Sequence, residues 1–311
     1  MMTDTASEVR FELSTRRPVD LAPTLSPLRR GRFDPCHRRE PDGSVWRTSL
    51  LPSGAVTYRL RQQGPSVVEA RAWGPGAEEL ETYLPGLVGE DDAGRSDDFA
   101  PAHPKLAEAH RRFPNLRIVR TGRVMEALVP AILEQRVHGV AAQASWRRLV
   151  TKFGAPAPGP APDGMRVPPG AEVWRRVPSW EFHHANVDPQ RAKTIVACAR
   201  VADRLEETVG MDRLDAYRRL RAVPGVGLWT AAEVSQRALG DADALSVGDF
   251  HLASVVGWTL LGRPLDDAGM VEYLADLRPH RYRAIRLLEI SGQARKPKFG
   301  PRTPIVDHTW H

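Results

Sequence analysis

The sequence predicts an α+β fold: a small N-terminal antiparallel β-sheet domain over residues 1–98, an all-helical domain over 99–292, and a basic tail over 293–311. Three observations predict it. Between residues 9 and 75, apolar and polar side chains alternate in short runs separated by Pro/Gly turns, the period of half-buried strands. From about Pro101 onward the apolar period lengthens to that of helices. Between the two regimes, residues 89–98 form an acidic, glycine-containing run that reads as a solvated loop and a domain boundary.

With 311 residues and 41% hydrophobic content, the chain can bury a sizeable core. Lys+Arg 44 against Asp+Glu 38 leaves a net charge of +6, which suits a polyanionic partner without specifying one. Cys36 and Cys198 are too few and too far apart for a disulfide framework or an iron–sulfur cluster, so a reducing compartment is expected. No window reaches the 18 apolar residues of a membrane span, so the expectation is a soluble, cytoplasmic, nucleoid-associated protein with no membrane partner.

Four strands are expected, at 9–14, 45–50, 56–60 and 67–73, with turns at Pro52-Ser53-Gly54 and Gly64-Pro65. Cys36-His37 precedes the second strand, and a metal reading lacks two further ligands at any nearby spacing. Val124, Ala127, Leu128, Ala131 and Ile132 mark one face of a helix, and a second helix follows over 137–153. Between them Glu134-Gln135-Arg136 reads as a helix corner exposed to water. The segment 154–170 carries six prolines and reads as a surface loop. Asp188-Pro189 starts a helix with a capping oxygen and a first-turn proline, and Cys198 lies inside it as a packing residue. A helix over 212–222 is expected to bury Leu214, Tyr217 and Leu220. Further helices fit 228–239, 249–261, 265–277 and 281–291. The tail reads as loosely ordered, and its His308 and His311 do not make a metal site.

The chemistry concentrates in two places. Pro224-Gly225-Val226-Gly227 joins two short helices, and its glycines let the turn amides and the following helix N-terminus face an anion, with phosphate the natural guest. The bland reading is a tight turn. Asp249 follows Gly227 by 22 residues and opens an apolar helical run, so its bland reading is an N-cap.

The string LRAVPGVGLWTA followed by VGDFHL resembles the helix-hairpin-helix superfamily of DNA base-excision glycosylases, and VMEALVPAILEQRV is similar to the first core helices of its 3-methyladenine DNA glycosylase II (AlkA-like) branch. The likeness covers roughly residues 9–292. It implies an active site between helical lobes in a helix-hairpin-helix glycosylase domain, with the motif at 212–239, and contact with the DNA backbone by Gly225, Val226, Gly227 and Thr230. It implies double-stranded DNA containing a damaged base as partner, a monomer, and no cofactor beyond a monovalent cation at the hairpin.

In such an enzyme Asp249 would stabilise the positive charge that builds on the sugar as the base leaves, and orient the attacking water. The flipped base would enter a pocket. Bifunctional members carry a lysine where this chain has Trp229, so the resemblance implies base release without lyase chemistry. Trp229 is then either a pocket wall or a core residue. Glu233 and Glu289 stand where the branch places aromatics around a cationic base. They attract that base, accept hydrogen bonds from a deaminated purine, or pair with Arg237 and Arg286. Gln135 precedes the position of the family's wedge leucine, here Arg136, read as an inserting wedge or a phosphate contact. His251 is read as a phosphate contact or a helix-start residue. The expected activity is release of alkylated or deaminated purines, such as 3-methyladenine or hypoxanthine. The alternatives are another lesion such as uracil, or a non-catalytic DNA-binding module.

Overall fold

The computed structural model describes residues 7–92 and 95–295, the side chains of residues 95 and 96 excepted. The terminal histidines at 308 and 311 lie outside the described residues. Five antiparallel strands, β1 (Val9–Ser14), β2 (His37–Arg39), β3 (Val45–Leu51), β4 (Gly54–Gly64) and β5 (Val67–Trp73), pair in the order β1-β5-β4-β3-β2. The fold is therefore α+β with the sheet at the N-terminus. The three-residue β2 was not expected: it is too short to show a period and exists by pairing with β3.

One face of the sheet is closed by Leu80–Leu87 and by a short helix, Leu21–Leu25, whose leucines are buried with Val56, Leu60 and Val68. The proline-rich segment differs from the simple loop expected. Ala155–Pro156 pairs with Arg166–Val167, and Met165 packs with the stacked rings of Trp46 and Trp73, so the segment clasps the sheet. The acidic run also departs from a solvated loop at one position. Asp92 is buried, accepts from the Ile118 amide at 2.9 Å and pairs with Arg283 of the last helix. A buried acid can persist only with such partners.

The helices build two apolar cores. One surrounds Val124–Leu133, which is buried on nearly every side rather than on one face, together with Gly139–Phe153, Pro189–Arg200 and the hairpin. The other gathers Leu252–Val256, Asp267–Tyr273 and Arg281–Ile290 against Phe99 and Leu106. Glu126 ties the first to the sheet by accepting from the Leu50 amide and the Ser49 hydroxyl. Asp188 and Asp212 cap their helices as expected, each accepting from two first-turn amides. Leu214 is not buried: it is 71% exposed, and Ala216 takes the inward position. Cys198 is fully buried, and burial pushes its thiol up to about 12. Cys36 and His37 are also buried, with His37 Nδ1 3.0 Å from an Arg47 guanidinium nitrogen.

Candidate active site

The hairpin lies between Arg213–Arg221 and Leu228–Val234, and the second helix continues as a wider turn over Ser235–Leu239. Its two glycines serve different needs. Gly225 has φ +92°, and a Cβ there would sit 2.2 Å from the Thr194 hydroxyl, so the fold requires glycine. Gly227 has φ −88°, and a Cβ would meet open space. Among the described residues, no neighbour crowds a side chain at 227. Val226 is buried and its amide donates to the Val223 carbonyl, while Thr230 is buried and its hydroxyl accepts from Gln135 Nε2 at 2.8 Å. The side chains of Val226 and Thr230 thus face the protein, leaving only main chain at these positions for an outside contact. At the turn, the carbonyls of Val223 and Gly225 each accept one hydrogen bond, from Val226 N and Gln135 Nε2.

Asp249 lies in the segment that leaves the first helical core at Leu239 and joins the second through Leu245, Val247 and then Leu252. Its Oδ1 accepts from the amides of His251 and Leu252 at 2.8 and 2.9 Å, which caps the following helix. That helix starts at Leu252 rather than at Asp249. Oδ2 accepts from the indole Nε1 of half-buried Trp229 at 3.1 Å. Capping uses one oxygen and the hairpin helix holds the other, so the carboxylate is fixed in direction. Every one of these donors is neutral, and among the described residues no lysine or arginine pairs with Asp249. Among the described residues, this carboxylate is thus held by neutral N–H groups.

Trp229 is thus a positioning contact to Asp249 and not only a core residue. His251 is exposed, its ring edge-on to Phe250 at 4.7 Å, and Phe250 is 91% exposed.

Of the readings open for Glu233 and Glu289, pairing is what the structure shows. Glu233 sits one turn after Trp229 and binds Arg237 at 2.8 Å; both side chains are nearly buried. Its other oxygen accepts from Ser246 Oγ at 2.6 Å. Burial alone would lower the Arg237 pKa, but Glu233, Tyr282 and Glu134 outweigh it and the net shift is upward. Glu289 pairs with Arg286 and is half exposed. Neither position supplies an aromatic wall.

At the corner, Gln135 binds both the Gly225 carbonyl and Thr230, locking this turn to the hairpin. Arg136 is exposed with φ +53°, a left-handed conformation unfavourable to a side chain, and it projects from a turn held on both sides. Two contributors left no local signal in the chain. Ser246 reaches Glu233 across the loop before Asp249, and residues 26–27 of the N-terminal segment receive Arg286 and Arg237. Both contacts join distant parts of the chain, where no local period operates.

No family model matches the chain. A stretch of 182 residues, 58% of this chain, is 33% identical to the probable bifunctional transcriptional activator/DNA repair enzyme AlkA of Mycobacterium tuberculosis, spanning 36% of it. A stretch of 159 residues is 25% identical to a DNA-3-methyladenine glycosylase of Bacillus subtilis and spans 52% of it. The chain thus matches about half or less of these curated relatives. In structure it superimposes on the 3-methyladenine DNA-glycosylase from Archaeoglobus fulgidus with a TM-score of 0.74 at 19% identity, over 89% of this chain and 96% of that one.

The fold is that of the helix-hairpin-helix DNA glycosylases.

The sequence likeness lies with proteins named AlkA and DNA-3-methyladenine glycosylase. The same glycosylase frame also fits the Clostridium acetobutylicum 8-oxoguanine glycosylase/lyase, with a TM-score of 0.69 at 13% identity over 93% and 99% of the two chains. The frame is therefore shared with a protein named as a glycosylase/lyase, and fold alone does not separate base release from strand cleavage.

Proposed function

We propose that the chain is a monofunctional DNA N-glycosylase that releases alkylated or deaminated purines from double-stranded DNA. The observation that carries the reading is Asp249, a carboxylate directed by three neutral donors beside the Pro-Gly-x-Gly hairpin. As the bond to the base breaks, positive charge grows on the sugar, and a carboxylate fixed beforehand by neutral donors stabilises it without reorganising. A cationic alkylated purine leaves readily, so one carboxylate suffices. Trp229 holds that carboxylate and offers no amine for a Schiff base, which favours an abasic site as the product. The hairpin would seat a phosphate at Gly227, where open space among the described residues suits close approach by a ligand.

The decisive experiment incubates wild type and Asp249→Asn with a panel of duplexes bearing single lesions, each sample analysed with and without alkali. Retained binding with lost base release supports the enzyme; equal release by both proteins overturns it. Strand breaks without alkali overturn the monofunctional assignment. For the hairpin, Gly227→Val weakens binding to all duplexes alike while keeping stability within about 0.5 kcal/mol. Gly225→Val, strained at positive φ and against Thr194, lowers stability by about 1–3 kcal/mol in urea unfolding. Equal stability losses at both glycines would remove the phosphate role.

A further inference from the structure

The loop after the Ser26–Leu28 turn is built with unusual rigidity around an exposed ring. Asp34 accepts from the amides of Arg30 and Cys36 and from the indole of Trp146, and Arg29 bonds the carbonyls of Gly31 and Arg32. Gly31 has φ +82°, and a Cβ there would collide with the Gln143 side chain. The loop's tip is Phe33, 66% exposed. The guanidinium carbons of Arg32 and Arg147 lie 5.5 and 5.6 Å from the centre of its ring.

Arg30 Nη1 binds Glu134 Oε1 at 3.2 Å, which pins the loop to the same turn that presents Arg136. Among the described residues, Arg32, Arg136 and Arg147 form no ion pair. An aromatic ring held out by a locked loop, beside guanidinium groups without carboxylates, matches a nucleic-acid strand. Its phosphates take the charge and a base or sugar takes the ring. A protein partner would have to supply acids for three arginines and a pocket for the ring at once.

We propose that Phe33, Arg32 and Arg147 form a second DNA contact, separate from the hairpin, that grips the duplex beside the Arg136 turn through ring stacking and two phosphate contacts. The contact rests on the reading of the chain as a DNA-acting protein but not on its chemistry. It would hold the duplex while a nucleotide is displaced, so its loss should be felt most on DNA that must be distorted.

The test measures affinity for a lesion-free duplex and for one carrying a stable abasic analogue, across a salt series, with full-length variants. Phe33→Ala should weaken binding to the abasic duplex on the order of 10-fold with an unchanged salt slope, and Phe33→Trp should restore it. Arg32→Ala/Arg147→Ala should reduce the slope of log affinity against log salt by about 1.8, two phosphates' worth. Thermal midpoints check that the loop still folds. Wild-type affinity for Phe33→Ala on both duplexes overturns the proposal and leaves the ring to a protein partner. An unchanged salt slope in the double variant overturns the phosphate contacts. If Asp249→Asn releases bases as wild type does while Phe33→Ala still weakens binding, the glycosylase reading fails and this contact stands.

Discussion

Asp249 and Glu233 are two carboxylates joined through one serine: Ser246 accepts from the Asp249 amide with its carbonyl and donates to Glu233 with its hydroxyl. Their surroundings are opposite. Asp249 is held by one indole and two amides and meets no lysine or arginine among the described residues, so its charge is directed but not cancelled. Glu233 is nearly buried against Arg237, whose guanidinium is further anchored to the Pro27 carbonyl. A carboxylate paired this way contributes little field to anything beyond its partner. The difference teaches that a carboxylate close to the hairpin is not itself a functional signal; the charge of the donors around it decides what it can do.

Four substitutions break or sharpen that comparison. Asp249→Asn should have the largest effect, cutting single-turnover base release by about 10²- to 10³-fold with duplex affinity retained. Removing the Oδ2 donor by Trp229→Phe should lower the same rate by roughly 10-fold, since a hydrogen bond to a charged group is worth about 1.5–3 kcal/mol and the amides still hold Oδ1. A fall in affinity with no change in rate would instead make Trp229 a pocket wall. Glu233→Ala should act on stability, costing about 1–3 kcal/mol in urea unfolding because Arg237 is left without its acid. Its rate per folded molecule should change less than the rate of Trp229→Phe, and a loss of release to the level of Asp249→Asn would show that Glu233 is not electrostatically silent. Glu289→Gln should do least, within about 0.5 kcal/mol in stability, because the Glu289 carboxylate is half exposed to water and Arg286 keeps the Ser26 hydroxyl as acceptor.

Much of the fold was legible because its signals are local. Strand alternation at 67–73, the helix over Val124–Leu133, the caps at Asp188 and Asp212, and the Pro-Gly-x-Gly turn each depend on neighbours a few residues away. The misreadings share a cause. Leu214 looked inward by period, yet it lies in the first turn of a helix whose inner face is set by Ala216 and Leu220. The proline-rich segment looked like a bare loop, yet Trp46 and Trp73 of the sheet gave it a surface to cover. Asp92 looked solvated because its partner, Arg283, is far along the chain.

The candidate site divides along the same line. By itself the sequence determined the hairpin, the spacing from Gly227 to Asp249, the tryptophan at 229 in place of an amine, and the absence of aromatics at 233 and 289. These are facts of residue identity and separation. Only the tertiary structure decided that Trp229 holds Asp249, that Glu233 pairs with Arg237 in a nearly buried place while Glu289 pairs with Arg286 at the surface, that Gln135 locks the corner to the hairpin, and that Arg30 ties the Phe33 loop to that corner. The physical reason is that a side chain's charge and direction are set by donors and acceptors brought from distant elements, and no local period in the sequence records which of them will meet.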